Sequence, residues 1–516
     1  MSQLKVLLFV SFWLLILGTF PAGWAVDKDS YFEVYKFRIN GCIKDYVIED
    51  INGDGLKDIM VFYQRLDLHR NFCAAIYYQS SDGFKSRPDQ NVRIDSSVII
   101  LDLANIDPSP ALEIVAIEPE GVFCYTRHKD VFVDVPELLI KEESVFRVPG
   151  PRKLLWDFSE DFDNDGIDEM VIPGFGGLKI YKKGVTRDDY RLNSLLHVCP
   201  DVILEESQEV AKSISPIYRI PKMLFMDYNN DGKRDILVIE RYGLKIFFQK
   251  GVPMFTDENS AQLRLGFGYC NTSAISVGTR GDSKEKIGIG HIVDLNNDGF
   301  VDLVVNKLQN RGSMFNPKKQ FQIYLGRRDE EHPLNGSVFE KVPDQIITSM
   351  GFQIASQLVD VNNDGMYDIV IPYVDLNIYR LISLFLRGKI RVDVVFYIQD
   401  GNDGLFKPEN YRRSFKVVMG FGGRARVPVF CVDGDFNGDG YVDLLTNEGG
   451  DLLIFYGKMG KEFSERPEVK FPVGVLAGRV FSVTVARIND DLKSDVVIVP
   501  EAGDANSDTI LLLVTG

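Results

Sequence analysis

A short acidic pattern, repeated six times, most constrains what this chain can fold into. In the copy at residues 294–302, oxygen-bearing side chains stand at positions one, three, five and nine, and Gly299 stands at position six. Alternate residues of a tight loop point inward and a glycine lets the backbone turn sharply, so four oxygens can converge on one hard cation. We therefore interpret each copy as a calcium loop.

The six copies carry the same residue types at the same spacing, and six copies indicate an architecture rather than chance. The predicted metal ligands, loop by loop, are Asp50, Asn52, Asp54 and Asp58; Asp161, Asp163, Asp165 and Glu169; Asp227, Asn229, Asp231 and Asp235; Asp294, Asn296, Asp298 and Asp302; Asp360, Asn362, Asp364 and Asp368; and Asp435, Asn437, Asp439 and Asp443.

The loops differ from EF-hands, which need a bidentate Glu at position twelve and a helix on either side. The six residues at position twelve offer no carboxylate: Val61, Ile172, Val238, Val305, Ile371 and Thr446. The acid at position nine is followed at once by short β-branched runs, such as residues 236–239, which are typical of buried strands. Each loop therefore joins two strands.

A D-x-[ND]-x-D-G-x-x-[DE] loop between strands, repeated along one chain, strongly resembles FG-GAP/VCBS repeats, the type found in the β-propeller head of integrin α subunits. The resemblance covers nearly all of the chain after the leader. It implies a β-propeller with calcium in its loops, and it says little about the ligand.

The spacing of the copies predicts the number of repeat units. Two degenerate copies, one around Asp102 and one ending at Asp495, bring the total to eight. A third strand follows each loop hairpin, and several units continue with a Phe and then a Pro, as at residues 84–88. Because proline belongs on edge strands, we interpret this fourth element as the outer rim. Four antiparallel strands per radial unit make a propeller blade.

The fold class is therefore all-β, a propeller of about eight four-stranded blades in a single domain at residues 26–516. The last unit has only three strands, and an orphan strand at 31–37 precedes the first unit. If that N-terminal strand completes the last blade, the ring closes without an open edge. A ring of seven blades is the alternative, if the copy around Asp102 is an insertion.

Residues 1–25 are typical of a secretory signal peptide. Lys5 precedes an apolar run at 6–17, and the small residues Gly23 and Ala25 stand at the cleavage-site positions. The run is short for a membrane span, although an uncleaved anchor is the alternative. The sequence thus predicts export to the periplasm or extracellular space, with no transmembrane span in the mature chain. Six cysteines permit disulfides without requiring them.

The formal net charge is −16. Six calcium ions would neutralise most of it, so the acidity is best assigned to the metal loops, where the ions would be structural. Magnesium is disfavoured because a flexible, oxygen-rich loop suits the larger ion. No basic stripe is present to neutralise phosphates, so nucleic acid is not an expected partner. The loop at Asp161 has four carboxylates and should bind calcium tightly, with Asp168 as a competing ligand.

Two stretches depart from the repeat and are predicted to be insertions. Residues 184–221 form a polar, mixed-charge segment that is longer than a hairpin needs. In the second stretch, 375–391, four apolar residues recur at the spacing of an amphipathic helix: Ile378, Leu381, Ile382 and Phe385. Such a stripe usually packs on its own domain, although it could also dock a partner or a membrane surface.

The sequence gives little indication of catalysis. It holds five histidines, none in a recognisable catalytic motif, and no nucleophile elbow or phosphate loop. The loops supply their own ligands and leave no open metal position for a substrate. We expect a monomeric, non-catalytic binding or scaffold module for a protein or carbohydrate ligand. The alternative is a calcium-dependent, lyase-type enzyme acting on polysaccharide, with a Tyr, Lys or Arg base in the central channel.

Overall fold

The computed structural model describes residues 31–66, 71–128, 131–146, 154–184, 186, 189–198, 201–206, 214–219, 222–240, 243–264, 285–309, 317–328, 336–353, 356–375, 379–380, 389–399, 401, 404–407, 411–418, 429–448, 451–458, 462–473, 481–500 and 508–516. The chain forms eight four-stranded antiparallel blades arranged as a β-propeller. The all-β, eight-bladed prediction is confirmed.

The first four blades each take their four strands in chain order from one stretch of the sequence. Their strands are Gly41–Glu49, Asp58–Arg65, Phe72–Tyr77 and Gln90–Ile94; Ile100–Ala104, Glu113–Glu118, Gly121–Tyr125 and Glu137–Ile140; Ser159–Glu160, Glu169–Gly174, Gly177–Lys183 and Tyr190–Leu196; and Lys222–Met226, Asp235–Glu240, Gly243–Phe247 and Ser260–Arg264. Blade 2 also receives the short parallel strand Leu154–Leu155. The degenerate copy around Asp102 is thus a complete blade, which excludes the seven-blade alternative.

Blades 5 to 7 follow the same order, and blade 8 takes its fourth strand from the start of the chain. Their strands are Glu285–Val293, Asp302–Gln309, Lys318–Tyr324 and Gln345–Met350; Gln357–Val359, Asp368–Val374, Lys389–Tyr397 and Tyr411–Val418; Phe430–Gly434, Asp443–Glu448, Asp451–Phe455 and Val469–Pro472; and Phe481–Ala486, Asp495–Pro500, Thr509–Thr515 and Phe32–Arg38. In blade 6 the short strand Phe352–Gln353 also pairs with the second strand.

The ends of the chain close the ring. Phe32–Arg38 pairs antiparallel with Thr509–Thr515, and the register runs from Phe32 opposite Thr515 to Arg38 opposite Thr509. Phe37 is buried and its ring centroid lies 4.5 Å from that of Tyr77 in blade 1. The predicted closure by the N-terminal strand is confirmed, and it gives blade 8 its fourth strand.

The core lies between neighbouring blades. The second strand of blade 1 is buried on both faces, so it is a continuous apolar run. Ile59 and Val61 pack with residues of blade 8, whereas Met60 and Phe62 pack with residues of blade 2. Because side chains of a strand alternate between faces, a single run of this kind joins each blade to both of its neighbours.

The predicted fourth strands are wrong in position. Gly83–Phe84 pairs with Gln79–Ser80 in a small hairpin, and the outer strand Gln90–Ile94 begins after Pro88. Equivalent hairpins in blades 5 and 7 are Arg327–Arg328 with Ser337–Val338, and Gly457–Lys458 with Glu462–Phe463. The phenylalanine is an anchor rather than a rim residue, since Phe84 is buried against Phe37.

Further small elements lie outside the blade sheets: the hairpin Arg127–His128 with Val131–Phe132, and the 3-10 helix Asp257–Asn259. In the predicted insertion at 184–221, Tyr190–Leu196 is the outer strand of blade 3, and Asp201–Glu206 pairs with Ile214–Arg219 as a separate hairpin.

Several sequence predictions lie outside the described residues. These are the leader at 1–25, the apolar helix positions Ile378, Leu381, Ile382 and Phe385, and the cysteines Cys199 and Cys270. Among the residues that the structure describes, no helix is long and apolar enough to cross a membrane.

The antiparallel order of the strands gives the propeller two distinct faces. In every blade, strands one and three run toward the same face, and strands two and four run away from it. The acidic loops connect strands one and two, so all six lie on that face, which we call the loop face. The connections between strands two and three, and those between successive blades, lie on the opposite face.

Candidate metal loops

The first aspartate of each loop holds the turn together. In the loop of blade 5, Oδ1 of Asp294 accepts the Asp298 N–H at 3.2 Å and Oδ2 accepts the Gly299 N–H at 2.8 Å. The turn needs left-handed backbone, which Asn297 adopts with φ of 55° and Gly299 with φ of 87°. The same two hydrogen bonds recur in the other five loops.

Positions three and five add oxygens at the surface of the loop. In blade 5, Oδ1 of Asn296 accepts the Asp298 N–H at 3.3 Å, and the Asn296 amide donates to Oδ2 of Asp298 at 3.0 Å. Oδ1 of Asp298 accepts the Phe300 N–H at 2.8 Å. Carboxylate and amide oxygens within one turn are the ligands that hard cations such as calcium prefer.

The carboxylate at position nine anchors the loop to the blade through hydrogen bonds. Asp302 is buried, and its Oδ2 accepts the Leu295 N–H at 2.8 Å while its Oδ1 accepts the Gly326 N–H, beyond the third strand, at 2.6 Å. The acids Asp58, Asp235, Asp368 and Asp443 make the same pair of contacts in their blades. This residue therefore tethers strands one, two and three.

Blade 8 shows that the position-nine carboxylate makes these backbone contacts even where the loop lacks a complete set of metal ligands. Its loop has Arg487 at position one, yet Asp495 at position nine still accepts the Ile488 N–H at 2.7 Å and the Thr515 N–H at 2.9 Å. From sequence, the ninth position was assigned to metal binding alone. Its retention in blade 8 was the available signal for a structural role.

Burial perturbs these carboxyl groups. Desolvation raises the pKa of Asp302 to about 7, although the Gly326 and Leu295 amides oppose the shift and the nearby Asp298 and Asp294 carboxylates add to it. Burial likewise raises the pKa of Asp235, Asp368 and Asp443 to about 7. A bound cation favours the charged form of such groups and would lower their pKa.

Neighbouring loops are hydrogen-bonded to each other along the loop face. The residue at position eight donates its N–H to a carbonyl at position one or two of the preceding blade's loop: Leu112 to Ile51 at 3.0 Å, Asp168 to Asn105 at 2.8 Å, Tyr367 to Leu295 at 2.9 Å and Ser494 to Asp435 at 2.7 Å. Oδ2 of Asp168 also accepts the Asn105 N–H at 2.8 Å. The Asp168 carboxylate thus joins blade 3 to blade 2.

A side chain at the end of the third strand adds a second link between blades, one that sequence reasoning missed. The Gln249 amide donates to the Phe162 carbonyl at 2.8 Å, and the Gln399 amide donates to the Leu295 carbonyl at 3.3 Å. In blades 2 and 3, Arg127 donates to the Ile51 carbonyl and Lys183 to the Ile106 carbonyl. Long polar side chains at this repeat position were the signal in the sequence.

The loop at Asp161 differs from the others because it contains a lysine. The Lys182 ammonium donates to Oδ2 of Asp163, to Oδ2 of Asp165 at 2.9 Å and to Oε1 of Glu169 at 3.2 Å. Among the described residues, the group of three acids with oxygens all within 4.8 Å of one another is Asp161, Asp163 and Glu169. The loop whose carboxylates converge is therefore the one that already holds a cation.

The donor sets decide how well calcium fits. In the loops at Asp50, Asp227, Asp294, Asp360 and Asp435, nine consecutive residues offer three carboxylates and one amide oxygen, an oxygen-only set that suits calcium. In the loop at Asp161, three of the four predicted ligands, Asp163, Asp165 and Glu169, contact the Lys182 ammonium. Five loops thus offer a set that fits the ion, whereas the acids of the sixth already pair with an ammonium.

Comparison with protein-family models identifies the repeat. Residues 435–498, which run from the loop of blade 7 into the second strand of blade 8, match the FG-GAP-like repeat. The chain is an eight-bladed β-propeller that contains an FG-GAP-like repeat. The FG-GAP resemblance inferred from the acidic loops is thereby confirmed. No curated protein sequence matches the chain.

Several solved structures are distantly similar to this propeller. An Agrocybe aegerita lectin, described as recognising non-reducing terminal N-acetylglucosamine, is 13% identical, with 94% of this chain and 95% of that chain covered and a TM-score of 0.38. The WD40 domain of SCAP from fission yeast is 10% identical, with coverage of 94% and 98% and a TM-score of 0.30. The V. cholerae biofilm matrix protein Bap1 is 12% identical, with coverage of 93% and 89% and a TM-score of 0.29. Likeness at this level carries no inference about function.

Proposed function

We propose that this FG-GAP propeller is an exported, monomeric, non-catalytic module that binds a protein or carbohydrate ligand, with structural calcium in its loop face. The observation that carries the proposal is a structural difference between the two faces of the propeller. The loop face holds acidic loops that link the blades, and the opposite face carries the three most exposed aromatic side chains among the described residues.

Calcium in the five fitting loops would stabilise the ring rather than act on a substrate. Each loop supplies its ligands from nine consecutive residues, and the carbonyl at position seven and a water would complete the shell. Because neighbouring loops are joined through contacts such as that of Tyr367 with Leu295, ordering one loop supports the next blade. Because the loop itself supplies almost the whole shell, the ion would hold the turn rather than a reacting group.

The ligand surface is the face opposite the loops. Phe175 lies in the connection between strands two and three of blade 3 and is 57% exposed. Tyr379 lies in the same connection of blade 6 and is 81% exposed, and Phe352, between blades 5 and 6, is 42% exposed. Exposed aromatic rings provide large contact area at low entropic cost, which is why they are enriched where proteins bind partners.

The test is capture of immobilised ligands by the mature chain. We expect binding to a member of a glycan array or to a protein from the exported fraction, retained with calcium and weakened with EDTA. The double substitution Phe175→Ala and Tyr379→Ala should reduce capture at least tenfold. Val252, 95% exposed in the connection that follows strand three of blade 4, gives a matched control on the loop face, and Val252→Ala should bind normally.

Two outcomes would contradict this function. Unchanged capture by the double variant would remove the opposite face from ligand binding. Release of unsaturated sugar products from a bound polysaccharide would show catalysis and favour the lyase-type alternative instead.

A further inference from the structure

Lys182 occupies a repeat position that is uncharged in the other blades with an acidic loop. In blade 3, Met170 follows the position-nine acid and pairs with Tyr181, so Lys182 is the next residue along the third strand. The same register places these residues at the equivalent position in the other five blades: Tyr78, Phe248, Leu325, Ile398 and Tyr456. A lysine here replaces an apolar or aromatic side chain beside the loop.

Glu169 also departs from the repeat, because the other five acidic loops have Asp at position nine. This change accompanies the lysine at position 182. Its Oε2 accepts the Phe162 N–H at 3.0 Å, the contact that the position-nine acid makes in every other blade with an acidic loop. In those five blades the second oxygen accepts an N–H just beyond the third strand, whereas Oε1 of Glu169 accepts from Lys182. With its extra methylene, Glu169 keeps the hydrogen bond from the Phe162 N–H and also reaches the Lys182 ammonium.

The ammonium lies where a bound ion would need the same oxygens. Its side chain is 28% exposed and contacts a glutamate side chain that is 2% exposed, so the pair is partly shielded from water. Carboxylates at positions three, five and nine converge on it. To bind calcium, this loop would first have to release a charge that is covalently attached to the blade.

We propose that Lys182 is a tethered cation that takes the place of calcium in the loop at Asp161, so that the propeller binds five ions rather than six. This inference rests on the proposed calcium binding of the other loops. It reverses the expectation that the four carboxylates make this loop the tightest site. The consequence is that blade 3 keeps its loop ordered when calcium is removed, whereas five other blades do not.

The experiment counts calcium bound per mature chain by equilibrium dialysis and elemental analysis, in reciprocal variants. Wild type should bind five ions. Lys182→Met gives blade 3 an apolar residue and should raise the count to six, whereas Lys182→Arg keeps a cation and should leave five. Leu325→Lys places an ammonium beside the loop of blade 5, where Leu325 and Asn296 both approach Gly404, and should lower the count to four. Lys245→Met removes an ion pair with Asp257 in blade 4 and should leave five.

Thermal unfolding in EDTA separates failure of this inference from failure of calcium binding. Lys182→Met should melt below wild type in EDTA, because it leaves four carboxylates without a cation, and Lys182→Arg should melt close to wild type. Six ions on wild type, or no gain in Lys182→Met, would overturn the tethered cation while the calcium proposal stands. If no chain binds calcium, the proposal of calcium binding fails. The order of melting temperatures in EDTA then tests the role of Lys182 by itself: the predicted order supports the tethered cation, and equal melting temperatures refute it.

Discussion

Replacing the position-nine carboxylate by an amide separates its structural role from metal binding. Asp302 and Asp495 make matching backbone contacts, but only Asp302 belongs to a loop with a full set of ligands. We therefore compare Asp302→Asn with Asp495→Asn. Each substitution is nearly isosteric, keeps one acceptor oxygen and turns an NH₂ group toward a backbone N–H.

The expected loss in EDTA follows from the contacts. A hydrogen bond to a charged group contributes about 1.5–3 kcal/mol. Part of this is offset because both carboxylates are costly to bury, as their raised pKa values indicate. Each variant should therefore lose roughly 1–2 kcal/mol of unfolding free energy without metal. The two losses should be similar, because the contacts are similar.

Calcium should separate the two variants. With a dissociation constant of about 0.1–1 mM, calcium at about 10 mM stabilises one loop by roughly 1.4–2.7 kcal/mol through mass action. Asp302→Asn should lose this increment as well, whereas Asp495→Asn should not. Urea midpoints from circular dichroism and Trp156 fluorescence, with and without calcium, give the comparison. Equal penalties for the two variants in calcium, or a negligible penalty for Asp495→Asn in EDTA, would refute the reasoning.

Three further predictions concern residues other than the proposed metal ligands. Gln249→Met should lower the free energy of unfolding by about 1–3 kcal/mol, because it leaves the buried Phe162 carbonyl without its donor; an unchanged urea midpoint would show that this link between blades is dispensable. Phe37→Ala should cost about 3–5 kcal/mol at the ring closure, and a loss below 1 kcal/mol by the same assay would contradict the packing of Phe37 on Tyr77. Burial raises the pKa of Asp102 to about 7, so the folded state binds this proton more tightly than the unfolded state and the Asp102 contribution to stability falls as pH rises from about 4 to about 7. The difference in stability between wild type and Asp102→Asn should therefore change over that window and level off above it; a flat difference would assign Asp102 an ordinary pKa.

The blade count and the loop positions could be predicted because each blade repeats a local pattern. The turn at 294–302 and the apolar strand after it lie within one stretch of sequence, so their geometry depends on neighbours along the chain. The outer strands were misplaced because Gln90–Ile94 is short and contains only two apolar residues, whereas Phe84 is conspicuous. Phe84 stands out in the sequence because it is a core residue, buried against Phe37, and it does not mark an outer strand.

The links between blades could not be predicted because they join residues far apart in sequence. Gln249 contacts Phe162 only once the third strand of blade 4 lies beside the loop of blade 3. Lys182 was visible as a lysine in a β-strand, but its meaning depends on a strand register that the sequence does not display. Counting carboxylates alone therefore made the loop at Asp161 the strongest candidate, when the structure gives it a cation of its own.

Thermal unfolding of the wild-type chain, with calcium and with EDTA, tests the central claim most directly. Five loops that each gain about 1.4 kcal/mol or more from calcium should together raise the melting temperature by many degrees. Magnesium at the same concentration should restore little of that difference, because it demands a smaller, near-octahedral site. Identical melting curves in calcium and EDTA would contradict the account, since the loop face would then hold the blades together without metal.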